Sequence, residues 1–156
     1  MQKLNGTNPK SNLSKVKKAN NFSKPSQNAK YSFSKRSRRN LVGVNPELIA
    51  VLVEALELGV MDFTVTCGYR SQGEQDRLYA MGRTEPGNVV TWVKRSKHTK
   101  GLAVDITPYP INWDDHSRFH QLAGIIKAVA AKKGVELIWG GDWKKTKDLP
   151  HFELKG

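Results

Sequence analysis

The sequence contains a single cysteine, Cys67, in 156 residues, which excludes an intrachain disulfide framework and a zinc site built on several thiolates. No apolar run approaches the ~18 residues of a membrane-spanning helix. Behind the basic N-terminus there is no apolar core of roughly 7–15 residues, so a secretory signal is not expected. Acidic residues are missing altogether from residues 1–40, which carry 11 Lys/Arg together with seven Asn and seven Ser. Residues 41–156 balance 15 Lys/Arg against 14 Asp/Glu, so nearly all of the net charge of +12 lies in the first forty positions. A nucleic-acid-binding domain would carry its basic face on the fold itself, and this charge split argues against one. Large apolar residues are also scarce in residues 1–40, which therefore read as disordered. Such a segment suits either a solvated tail or an electrostatic tether to anionic envelope polymers. The chain has no internal repeat and room for one domain plus an appendage.

What is present reads as interspersed helices and strands. Asn45, Pro46 and Glu47 supply a cap, a proline at the first helical position and an acid in the first turn. Leu48, Val51, Leu52, Ala55 and Leu58 follow at helical spacing until Gly59. Phe63 to Cys67 alternates as a strand, and Ser71 with Glu74 opens a short helix running to Gly82. Residues 89–93 and 102–106 read as strands, residues 112–133 as a long helix closed by Gly134. Residues 135–139 and His151 to Leu154 read as the last two strands, separated by a loop over 140–150. There is no regular βαβ rhythm. The expected class is α+β, a small, largely antiparallel sheet with about three helices packed around it.

Asp105 interrupts the run Leu-Ala-Val-Asp-Ile, which is apolar on both faces. A carboxylate in such a run needs a cation beside it. His98 lies seven residues earlier, and Gly101 between them allows the chain to turn back to the same edge. His98 and Asp105 alone would fit an ordinary hydrogen-bonded pair as well as a ligand pair. His151 opens a strand in which Phe152 and Leu154 face one side and His151 and Glu153 the other, with Asp148 three residues before it. Two imidazoles and a carboxylate form a common ligand set for catalytic zinc, and a further carboxylate beside the open position can serve as base. His116 and His120 are a competing pair at i and i+4, but they lack the Glu of His-Glu-x-x-His and read as boundary histidines.

The segment Ser96-Lys97-His98-Thr99-Lys100-Gly101-Leu102-Ala103-Val104-Asp105 resembles the Ser-x-His-x-x-Gly-x-Ala-x-Asp signature of zinc D-alanyl-D-alanine carboxypeptidases and dipeptidases. Asp148-Leu149-Pro150-His151 resembles their acid-x-x-His element, and Gly68-Tyr69-Arg70 their Gly-x-Arg element. Within that family the sequence is most similar to phage endolysins that are L-alanyl-D-glutamate endopeptidases. Counterparts of Phe33-Ser34-x-Arg36-Ser37 and of Trp139-Gly140-Gly141-Asp142-Trp143 occur there. Many carboxypeptidase members have Glu where this chain has Asp148; the endolysin branch has Asp.

The charge split sets off a basic leader over residues 1–32, and the resemblance implies a zinc peptidase domain over 33–156. It further implies Zn2+ held by His98, Asp105 and His151, with Asp148 as general base and Arg70 stabilising the oxyanion or a substrate carboxylate. Ser96, Gln75 and Trp143 are the expected substrate contacts. The expected partner is the peptidoglycan stem peptide, with anionic envelope polymers reached through residues 1–40. No specific nucleic acid, no transmembrane segment and a monomer are expected. Synthesis in the host cytoplasm until lysis, then action on the wall or in the periplasm, completes the picture. A D-alanyl-D-alanine carboxypeptidase or dipeptidase, and a non-catalytic zinc-dependent wall-binding module, are the alternatives.

Overall fold

The computed structural model describes residues 28–156. Most of the expected basic leader, residues 1–27, lies outside that span. Among the described residues there are four α-helices: α1 (Lys35–Asn40), α2 (Pro46–Glu57), α3 (Gln72–Ala80) and α4 (His116–Lys133). Four strands, β1 (Phe63–Cys67), β2 (Ala103–Pro108), β3 (Leu137–Trp139) and β4 (His151–Leu154), form one antiparallel sheet in the order β1-β2-β4-β3. The α+β expectation holds.

The core lies between the sheet and helices α2 and α4. Leu48, Val51, Leu52 and Ala55 of α2 meet Leu122, Ile126 and Val129 of α4, and both stripes cover Val65, Val104, Ile106 and Phe152 of the sheet. The start of α2 follows the sequence: Asn45 accepts from the Glu47 amide at 2.8 Å and Pro46 occupies the first turn. Helix α4 starts four residues later than its sequence pattern suggests. Asp115 is its cap, accepting from Arg118 N at 3.3 Å, whereas Asn112 turns back on itself and accepts from the Asp114 amide.

Two departures are informative. Residues 33–40, read as part of a disordered stretch, are folded. Helix α1 is capped by Ser34, and Phe33 packs edge-on against Phe63 with centroids 5.9 Å apart. Ser37 accepts from Val65 N at 3.1 Å, and the Asn40 amide donates to the Val65 and Thr66 carbonyls at 2.8 and 3.1 Å. Polar side chains thus satisfy the outer edge of β1, which a composition argument cannot register. Residues 89–93 form no strand. Val90, Trp92 and Val93 are exposed, and the segment is held by side chains reaching its backbone.

Candidate active site

Asp105 and His151 are Cα partners across the β2–β4 ladder, so sheet register alone sets their side chains beside one another. His98 arrives from a single 3-10 turn, Lys97–Lys100, whose Ser96 cap accepts from the His98 amide at 3.3 Å. Gly101 ends that turn at φ +69°, and a Cβ there would run into the Gly43 carbonyl. The glycine lets the turn lie against the α1–α2 connection, where Asn45 N donates to Gly101 O at 2.8 Å. His98 is left 4% exposed and His151 6%.

The two imidazoles converge on one oxygen. His98 Nε2 lies 3.2 Å and His151 Nδ1 3.1 Å from Asp105 Oδ1. Each ring is held from behind, His98 Nδ1 by the Gly68 carbonyl at 2.7 Å and His151 Nε2 by Glu153 Oε2 at 3.1 Å. If those outer nitrogens carry the protons, the inner ones present lone pairs to a carboxylate, an arrangement that demands a cation between them. Donors with bonds of ~2.0–2.1 Å to a tetrahedral ion lie roughly 3.3–3.4 Å apart, close to the separation of each imidazole nitrogen from Asp105 Oδ1. The donor set fits a metal.

The electrostatics agree. Burial disfavours a charged His98, but its hydrogen bonds to the Asp105 carboxylate and with Cys67 outweigh it and push its pKa up to about 10. Burial opposes ionisation of Asp105 as well, yet its bonds with His151 and His98 hold it well below the usual carboxylate range. In His151, burial is again outweighed by Asp105 and Glu153, and the pKa rises. The pocket is tuned for positive charge at its centre.

Cys67, whose role the sequence left open, belongs to this cluster. Donor atoms of Cys67, His98 and Asp105 all lie within 4.8 Å of one another. Its sulfur approaches His98 at Nδ1, the outer nitrogen, 3.9 Å away, and accepts from Arg70 Nη2 at 3.1 Å. The thiol therefore backs the imidazole, whereas His98 Nε2, Asp105 and His151 Nδ1 share the inner face.

A cleft of about 340 Å³ opens over the cluster, lined among others by Arg70, Ser96, Trp143 and Asp148. Asp148 is set by its backbone, donating to Gly140 O at 3.0 Å and accepting from His151 N at 3.2 Å. Gly140 is a close-approach position, as a Cβ there would strike the Asp148 carbonyl. Burial and the nearby Asp105 charge both raise the Asp148 pKa, moving it towards a useful proton acceptor. The Trp143 ring lies 5.0 Å from that of His151. Trp139 is core, its indole donating to Leu149 O at 2.7 Å.

Gln75 requires a correction. Sequence reading places it against substrate, but it is 0% exposed. Its carbonyl accepts from Arg70 Nη1 at 2.7 Å, and its amide donates to Val93 O at 2.7 Å and Thr91 Oγ1 at 3.3 Å. It ties Arg70 to the 89–93 segment. Glu153, on the same strand face as His151, is engaged behind that ring. His116 and His120 sit apart from His98, Asp105 and His151, in a second groove.

A family model described as phage L-alanyl-D-glutamate peptidase matches residues 29–155. The peptidoglycan L-alanyl-D-glutamate endopeptidase CwlK of Bacillus subtilis is 39% identical over 102 residues, 60% of this chain and 61% of that protein. The chain thus spans about three-fifths of that relative's length. The L-alanyl-D-glutamate peptidase of Escherichia phage T5 is 32% identical over 128 residues, covering 80% of this chain and 90% of the phage protein. Among solved structures, the Serratia marcescens L-Ala D-Glu endopeptidase ChiX superposes with a TM-score of 0.68 at 34% identity, over 79% of this chain and 89% of that one.

Proposed function

The chain belongs to the phage L-alanyl-D-glutamate peptidase family, and on that premise we propose that it is a zinc-dependent endopeptidase hydrolysing the L-alanyl-D-glutamate bond of peptidoglycan stems. The observation that carries the reading is the convergence of His98 Nε2 and His151 Nδ1 on Asp105, with Asp148 and Arg70 on the same cleft. When bound by His98, Asp105 and His151, zinc supplies Lewis acidity to the scissile carbonyl and lowers the pKa of water towards about 7.

The remaining work falls to the chain's own groups. Gly68 O and Glu153 keep both rings in the tautomer that presents lone pairs inward. Asp148, with its raised pKa, accepts the proton of the attacking water and returns it to the leaving amine. Arg70, aimed by Gln75, offers guanidinium donors to the developing oxyanion or to the D-glutamate carboxylate. Trp143 and Ser96 line the cleft as substrate contacts.

Digestion of purified sacculi with and without a chelator tests this reading. Mass spectrometry should find stem peptides cut after L-alanine and no products with chelator present. Loss of terminal D-alanine alone would assign the carboxypeptidase reaction instead. Zinc content without any hydrolysis would assign a binding module.

We read residues 1–32 as a basic leader preceding the peptidase domain and serving it as a tether to anionic envelope polymers. The protein is then a monomer held in the host cytoplasm until lysis exposes the wall. No helix among the described residues is long and apolar enough to cross a membrane. Removing residues 1–27 should slow whole-cell lysis only at low salt, because such attraction is screened over roughly 8–10 Å at physiological ionic strength.

A further inference from the structure

Beside the catalytic cleft lies a second groove of about 360 Å³. The two share Lys147 and Asp148 on their common rim, so an occupant of the second groove adjoins the bond being cut. Beyond that rim the groove carries no charged side chain. Its working surfaces are Trp113, His116 and His120, with Phe119 beneath them. Trp113 is 54% exposed, yet one of its faces lies over the buried Phe119 ring, with centroids 6.1 Å apart and planes at 23°. The other face is left open to solvent.

This platform is built in advance. The Arg118 guanidinium donates to the carbonyls of Tyr109 and Pro110 at 2.7 and 2.8 Å, stapling the segment before α4. Asp115 caps the helix directly after Trp113 and Asp114. His116 and His120 lie one turn apart on the same face of α4, and His120 is held edge-on to Trp139 with centroids 4.9 Å apart. An open aromatic face flanked by two imidazoles, each a donor and an acceptor, suits a neutral ligand with one apolar face and a rim of hydroxyl and amide groups. That is the chemistry of an amino sugar.

We propose that this groove is a sugar subsite, receiving the N-acetylmuramoyl residue that carries the stem peptide. The inference rests on the endopeptidase reading. In that substrate the L-alanine nitrogen is acylated by the lactyl group of the sugar, so the sugar begins one residue from the scissile bond on the acyl side. The amine side is D-glutamate with its free carboxylate. The charges divide to match: Arg70 lines the catalytic cleft and the exposed Lys94 and Arg95 continue along its loop, whereas the aromatic groove is neutral beyond Lys147 and Asp148. The anionic half of the substrate goes to the first and the sugar to the second.

The experiment compares two soluble substrates with the zinc-loaded full chain: a muramoyl stem peptide, and the same peptide with a plain acetyl group on its L-alanine. The wild type should cleave the muramoyl substrate with a kcat/KM about fivefold to tenfold higher, the scale of one stacked ring. Trp113→Ala should remove that preference and leave cleavage of the acetyl peptide unchanged, which also reports an intact fold. The exposed His116→Ala should lower the preference in the same sense, and it decides the matter if Trp113→Ala does not fold. Equal losses on both substrates would assign the groove to peptide and overturn the proposal, as would an unchanged preference. Failure of the wild type to cleave either substrate would instead strike the endopeptidase reading beneath it.

Discussion

The sheet half and the loop half of the active site are held together by different means. On the sheet, Asp105 and His151 face each other because β2 and β4 are in register, and backbone hydrogen bonds fix their spacing. On the loops, Arg70, Asp148 and Trp143 have no ladder beneath them. Arg70 is aimed by Gln75 and Cys67, and Asp148 by two backbone bonds around Gly140. Of the candidate metal donors, Asp105 and His151 are thus placed by sheet register and His98 by a capped turn, whereas the groups lining the cleft are placed by side-chain and loop-backbone ties. Substitutions on the two halves should fail in different ways.

The largest break lies among the candidate metal donors, His98 on its turn and His151 on the sheet. His98→Ala or His151→Ala should abolish both hydrolysis and zinc retention, since two remaining donors cannot keep a catalytic site closed. Metal analysis of the purified variants checks this, and stoichiometric zinc in His151→Ala would overturn the ligand assignment. Next comes the loop half: Asp148→Ala should keep zinc and the melting temperature while losing at least about 10²-fold in kcat. Retained metal with lost turnover is the signature that separates the two regions.

Smaller effects sharpen the boundary. Glu153→Ala removes the acceptor behind His151, so zinc affinity should fall by roughly 10–100-fold while turnover recovers in excess zinc. A zinc titration of activity reads this directly. Gln75→Ala should leave zinc content intact and lower kcat/KM by about tenfold through a misdirected Arg70, with a stability loss of ~1–3 kcal/mol from orphaned polar partners. Gln75→Glu, which keeps an acceptor for Arg70, should recover more activity than stability. Equal recovery of both would mean that Gln75 acts only as filler.

The sheet half was the more legible from sequence. Asp105 stood out because a carboxylate inside an apolar strand is costly, and the glycine at 101 gave His98 a route back to it. The strand alternation of His151 and Glu153 put both on one face. What stayed hidden was set by tertiary contact. Gln75 sits in a polar stretch that looks like helix surface, and only the folded chain shows the 89–93 segment lying over it. That segment has the β-branched and aromatic composition of a strand, but no unpaired sheet edge meets it, and side-chain donors from Gln75 and Arg83 satisfy its carbonyls. Helix α1 escaped for the opposite reason, its residues being basic and polar while its anchoring bonds run to β1, more than twenty positions ahead.

The strand order has a bearing on biosynthesis. Strand β4, the last of the described strands, is not an edge strand but lies inside the sheet, with β2 on one side and β3 on the other. Until residues 151–154 clear the ribosome, β3 has no neighbour to pair with and Asp105 has only one of its two imidazoles. Both contacts therefore wait on the same strand: only when β4 pairs with β2 and β3 do Asp105 and His151 come together.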